Sequence, residues 1–107
     1  MDAEKIQLRY EIRFHEAGLL YETGVDKPGY VYAPHRHGWV TVVTLGGSIR
    51  LTVDNTTHEL KAGDICEIQS NQLHEGVVGP DGWQWLAAWK PDEDSSFDLP
   101  DTQPRPA

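Results

Sequence analysis

The chain has 107 residues, enough for one modest core, and 38% of them are hydrophobic, with four Trp, four Tyr and two Phe to supply bulk. Its formal charge of −8, from 17 acidic against 9 basic residues, repels a phosphate backbone and argues against nucleic acid as a partner. The longest apolar runs, Trp39 to Val43 and Trp85 to Trp89, fall far short of the roughly 20 residues of a membrane span. The opening Met-Asp-Ala-Glu-Lys lacks a basic-then-apolar leader, so a cytoplasmic location is expected.

Residues 5–14 put Ile6, Leu8, Tyr10, Ile12 and Phe14 at alternate positions with charged or amide groups between them, which predicts a half-buried strand. Such a strand, standing before the rest of the domain, offers an edge to a second copy and predicts a homodimer. A short strand is expected over Leu19 to Glu22, then a turn through Asp26-Lys27-Pro28-Gly29, then a strand from Tyr30 to Ala33 that stops at Pro34. Strand, turn and strand follow over Trp39 to Leu45, Gly46-Gly47 and Ser48 to Val53. Asp54-Asn55 is expected as a hairpin tip leading to Thr57 to Leu60. Lys61 to Asp64 reads as a turn, Ile65 to Gln69 as a strand, Ser70 to Gln72 as a turn and His74 to Val78 as a strand. Gly79-Pro80-Asp81-Gly82 reads as a turn before a last strand over Trp83 to Trp89. No segment shows sustained helical spacing, so the fold class is all-β, a sandwich or barrel in one domain over residues 1–90. Residues 91–107 turn polar, acidic and proline-containing and are expected to be a flexible tail.

His35 and His37 lie two apart, on one face if the segment is a regular strand, and His74 opens a later strand that antiparallel return could bring beside them. Neutral imidazoles suit Zn, Cu, Fe and Ni, and three of them leave positions open for water or substrate. Cys66 is the only cysteine, so a cysteine-rich zinc site and an internal disulfide are excluded. Its alternation with Ile65 and Ile68 favours an inert packing role. His15 and His58 sit among charged or hydroxyl residues and are left out of the site. No nucleophile elbow or phosphate-cradling glycine loop is present.

These residues resemble the two motifs of the cupin superfamily. Gly29, five residues, His35, Arg36 and His37 match the opening of the first motif, and Gly63, ten residues and His74 match the frame of the second. Leu45 to Ile49 and Leu60 to Asp64 resemble the turn segments that cupins place between them. The resemblance covers about residues 29–89 and implies a double-stranded β-helix, the jelly-roll barrel of RmlC-like proteins. It implies one divalent transition metal ion (Fe, Mn, Ni, Zn or Cu) on His35, His37 and His74, and a small-molecule substrate. The family's metal-binding glutamate has no counterpart, since the matching positions are Val40, Thr41 and Val42, and the second motif's Pro, Gly and Asn are replaced by Gln69, Asn71 and Val78. The implied centre is therefore a three-histidine one, as in the cupin subgroup that includes the thiol dioxygenases, or a degraded centre without metal.

Strand parity places Thr41 and Trp39 on the histidine face, where Thr41 stands near the missing glutamate. Tyr30, Tyr32, Trp83 and Trp85 are further pocket candidates, with Trp89 on the same face as the last two; a packed core is the alternative for them. Arg36 alternates away from the histidines, Arg50 has no firm facing, and Gln72 and Glu75 flank His74, where they could orient its ring. Two functions follow from the resemblance: a metalloenzyme of dioxygenase, isomerase or lyase type acting on a small oxygenated or anionic substrate, and a non-catalytic, sugar-like ligand sensor similar to the ligand-binding domain of arabinose-type regulators.

Overall fold

The computed structural model describes residues 2–91; the expected tail, apart from its first residue, lies outside them. The elements run α1 (Ala3–Glu16), β1 (Leu20–Asp26), β2 (Val31–His35), β3 (Val40–Val53), β4 (Thr56–Lys61), β5 (Ile65–Ile68) and β6 (His74–Trp89). Every strand pairing is antiparallel.

Two long strands organise the barrel. The second half of β6 (83–89) lies between β1 and the first half of β3, whose other edge carries β5. The first half of β6 (74–78) lies between β2 and the second half of β3, whose other edge carries β4. One four-stranded layer thus continues into the other through β3 and β6, which is the jelly-roll solution to closing a sheet on itself. The turns expected at Gly46-Gly47 and Gly79 to Gly82 are instead bends inside these strands, with register shifts on either side of Gly46 and Gly47. Gly47 has a φ of 67°, and a Cβ there would stand 1.9 Å from the Gly82 carbonyl oxygen, so only glycine permits the close crossing. The β3–β4 hairpin does turn at Asp54 and Asn55, both left-handed at φ 47° and 70°, which matches the right-handed twist of the strands it joins.

Segment 5–14 is helical, not extended. The same apolar residues satisfy both periods: Ile6, Tyr10 and Phe14 are four apart and form one helical stripe, while Leu8 and Ile12 are exposed. The ends decide the matter. The Asp2 carboxylate accepts the Glu4 N–H at the first turn. At the other end Gly18 (φ 75°) donates to the His15 carbonyl while Leu19 donates to that of Phe14, a Schellman closure. The helix packs on the outer face of one layer, where Ile6 and Phe14 meet Val43, Leu45, Leu86 and Ala88. The edge-strand argument for a homodimer falls with the strand it required.

The second core lies between the layers. Val40, Val42, Ile68 and Ala87 from one layer meet Ile49, Leu51, Val53, Leu60 and Val78 from the other, with Trp83 at the bend. The two cores use opposite faces of β3 and β6, as a period of two requires.

Candidate metal centre

His74 begins β6 with its side chain on the inner face, opposite Val53 of the barrel core on one side and His35 on the other. His35 is the last residue of β2, which runs through Pro34 because β2 is an edge strand and its register is irregular between Tyr32 and His35. His37 belongs to the connection between β2 and β3. The two are thus not neighbours on the face of one strand; they converge from a strand end and from the loop that follows it.

The ligand atoms of His35, His37 and His74 all lie within 4.8 Å of one another, and the three could hold a metal ion. His37 and His74 are buried, at 8% and 4% exposure, and His35 is half-buried. Each ring is tied at Nδ1 to a backbone carbonyl oxygen: His35 to Ala33 at 2.6 Å, His37 to Gly38 at 2.8 Å and His74 to Gln72 at 2.9 Å. A carbonyl can only accept, so each Nδ1 carries a hydrogen, and a neutral ring tied in this way presents its lone pair at Nε2. The Nε2 atoms of His37 and His74 stand 3.1 Å apart. Nitrogens sharing one ion at about 2.0–2.1 Å are separated by about 3.0–3.4 Å, so the spacing fits a common ion. Burial, with smaller contributions from the two neighbouring histidines, lowers the pKa of His74 to about 4, opposed by the Gln72 carbonyl and the Asp54 carboxylate. His74 is accordingly neutral at physiological pH.

The turn before His74 completes the surroundings. Asn71, at the position of the motif's glycine, adopts the left-handed φ of 64° that glycine would supply, and its N–H donates to the His37 carbonyl at 2.8 Å. The Gln72 amide donates to Asp54 at 2.7 Å and accepts the Gln69 N–H at 2.9 Å. Asp54, read from sequence only as a hairpin tip, carried no signal of this role, because eighteen residues separate it from Gln72.

The pocket candidates divide. Tyr32 pairs with Gly76 on the face that carries His74, and Tyr30, Tyr32 and Trp85 are half-buried against the barrel core. Tyr30 and Tyr32 meet edge to face at 5.1 Å, Tyr32 and Trp83 at 6.1 Å, and Trp83 and Trp85 stand 6.0 Å apart, so an aromatic row lines the barrel towards the bend. The Tyr32 hydroxyl is bound to the Asp26 carboxylate. Trp83 is a core residue whose indole N–H donates to Thr44 at 3.0 Å.

Thr41 is not on the histidine face. It pairs with Ala88, which belongs to the helix-covered core, and alternates with Val40 and Val42 of the barrel core. Residues 36–39 are not a strand, so parity counted from His35 does not carry across them. Trp39 lies at that outer face too, bonded to Glu67 and covered by the Lys90 ammonium at 5.1 Å. Arg36 and Arg50 are exposed, as are Glu75, His15 and His58. Cys66 packs against the barrel core, and burial together with Glu67 pushes its thiol pKa up, which makes it a poor nucleophile.

The fold and the paired histidine segments define a cupin. The model of the AraC-like ligand binding domain family matches residues 20–87, and the chain belongs to that family. Solved structures agree on the fold. An RmlC-like cupin from Shewanella frigidimarina is 18% identical, with a TM-score of 0.63 over 76% of this chain and 69% of that one. KdgF from a Halomonas species is 20% identical, with a TM-score of 0.60 over 70% of this chain and 72% of that one. A chain from the structures of the DMSP lyases RdDddP and RnDddQII is 21% identical, with a TM-score of 0.65 over 70% of this chain and 40% of that one. No curated protein matches the chain. Among the described residues no helix is long and apolar enough to cross a membrane.

Proposed function

We propose that His35, His37 and His74 bind one divalent transition metal ion and that the protein is a metalloenzyme acting on a small anionic or oxygen-rich substrate. The observation that carries this reading is the shared tautomer. Three rings fixed by three backbone carbonyls direct three Nε2 lone pairs into one space, and two of them face each other at 3.1 Å. Two lone pairs at that distance are spaced to bind one cation between them. Burial disfavours a proton on His74, which keeps that ring available as a neutral donor to a metal ion.

A bound ion would supply Lewis acidity, and with three neutral donors its charge is uncompensated, which favours an anionic oxygen ligand in the open positions. The chain's own residues supply the rest. His35, the least buried of the three, marks the solvent side, while Tyr30, Tyr32 and Trp85 offer half-buried apolar surface that would exclude water from one side of a substrate. The test is elemental analysis of protein made without a metal-binding tag, beside the His35→Ala and His74→Ala variants. About one equivalent in the wild type and loss in both variants is expected; no metal after reconstitution of the wild type would refute the centre.

A second reading is favoured by the family itself: an AraC-like ligand-binding domain whose aromatic row stacks on a sugar-like ligand without metal. Tryptophan fluorescence of chelator-treated protein, titrated with a panel of monosaccharides and uronic acids, separates the two. A saturable change that persists without metal supports the sensor.

A further inference from the structure

The structure assigns Gln72 as a positioning residue that holds His74 in its tautomer through a side-chain tie to Asp54, making the turn Gln69–Gln72 a clasp on the histidine cluster. The inference rests on the cluster being the functional site, as proposed above, but concerns the ring itself, and its first readout needs no metal.

Two of the three ligands meet at this turn. The Asn71 N–H donates to the His37 carbonyl at 2.8 Å, and the Gln72 carbonyl accepts the His74 Nδ1–H at 2.9 Å. A backbone carbonyl aims a ring only as well as its own peptide is held. The Gln72 residue, whose carbonyl leads into that peptide, is held from within the turn, where its N–H donates to the Gln69 carbonyl at 3.1 Å and its Oε1 accepts the Gln69 N–H at 2.9 Å. It is also held from outside, where Nε2 donates to the Asp54 carboxylate at 2.7 Å. Asp54 is anchored in turn, because its own N–H donates to the Leu73 carbonyl at 3.1 Å. Asp54 and Asn55 form the tip of the β3–β4 hairpin, so the side-chain bond ties the turn before β6 to a second, rigid element.

The chemistry of the tie explains why the residue is an amide. Its oxygen must accept from Gln69 while its nitrogen donates to a carboxylate, and glutamine offers both from one group. Glutamate keeps the acceptor but would face Asp54 with a second negative charge. Alanine keeps only the backbone carbonyl and lets the turn move. His35 stands outside the arrangement, since its Nδ1 is held by Ala33 within β2.

The experiment is nitrogen-15 NMR of the histidine rings in chelator-treated protein at neutral pH, paired with metal titration of each variant. In the wild type His74 shows a single Nδ1–H tautomer. In Gln72→Ala and Gln72→Glu its resonances shift towards a mixture of tautomers or broaden, while His35 keeps its own single tautomer, and metal affinity falls about 10–100-fold, the usual scale for loss of an orienting partner. The swapped pair Gln72→Glu with Asp54→Asn restores an amide–carboxylate bond with donor and acceptor exchanged, and returns both readouts towards the wild type. Unchanged His74 tautomers in both single variants, or a swapped pair no better than Gln72→Glu alone, would overturn the assignment. A retained His35 tautomer beside an altered His74 separates positioning from unfolding. Failure of the wild type to bind metal while the tautomer responds would refute the metal centre and leave the clasp standing.

Discussion

The two faces of β3 and β6 carry different kinds of core. On the outer face, under α1, Val43, Leu45, Leu86 and Ala88 meet Ile6 and Phe14, and every member of that cluster is apolar. On the inner face the apolar cluster continues into Thr44 bonded to Trp83, half-buried tyrosines and, at one end, two buried histidines. Successive residues of one strand therefore serve different ends: Val43 closes a helix–sheet layer while Thr44 beside it holds a polar bond in the barrel. Separating the two lets the inner face hold groups that are costly to bury, since the apolar cluster under α1 stabilises the same strands.

The comparison is broken most directly from the outer side. Leu86 is fully buried beneath α1, and Leu86→Ala is expected to cost about 2–5 kcal/mol by lost transfer energy and the cavity left behind. Denaturant unfolding measures the loss. If the faces are energetically separate, the metal bound per folded molecule stays at the wild-type level, and an equal collapse of metal binding would show that they are not.

An inner-face change of similar size sharpens the contrast. Thr44→Val nearly preserves volume but leaves the buried Trp83 N–H without its 3.0 Å acceptor, which should cost about 1–3 kcal/mol. The measurement is again the unfolding midpoint, with Trp fluorescence reporting the altered indole environment. A neutral outcome would mean that the barrel interior tolerates an unpaired N–H and is wetter than its burial indicates.

The same two faces explain what the sequence disclosed. Period-two alternation on a half-exposed layer is legible, so the strand segments, the Asp54-Asn55 tip and the barrel class follow from residue patterns, and the cupin resemblance placed Gly29 to His37 and Gly63 to His74 in one order. The helix is hidden in the sequence because Ile6, Tyr10 and Phe14 fall on both a two-residue and a four-residue repeat; the discriminating residues are Asp2 and Gly18, outside the run. Gly46-Gly47 and Gly79 to Gly82 look like strand ends, but whether a glycine pair ends a strand or bends it depends on which backbone passes nearby, here Gly82 beside Gly47. Alternation from His35 puts Thr41 on the wrong face because it does not carry through 36–39, where there is no strand. Asn71 was the most informative departure: in the motif's glycine position it keeps the left-handed backbone, so the turn survives the substitution.

The smallest expected effect concerns protons at the inner face. His74 has a pKa of about 4 in the folded chain against an ordinary 6.5, mainly because burial penalises its charged form. The unfolded chain then binds the proton more readily, so stability from this group is complete above 6.5 and is lost as pH falls towards 4, levelling off below that. Between about pH 7 and about pH 5.5 the loss is about 1 kcal/mol. Denaturant melts of chelator-treated protein across that range give the slope, and His74→Asn, whose amide can still donate to the Gln72 carbonyl, should flatten it. Leu86 packs among Ile6, Phe14, Val43, Leu45 and Ala88, none of which titrates, so Leu86→Ala should lower the whole stability curve without changing its dependence on pH. A slope unchanged in His74→Asn would place the acid sensitivity elsewhere in the chain and remove the expectation that the inner face holds His74 neutral.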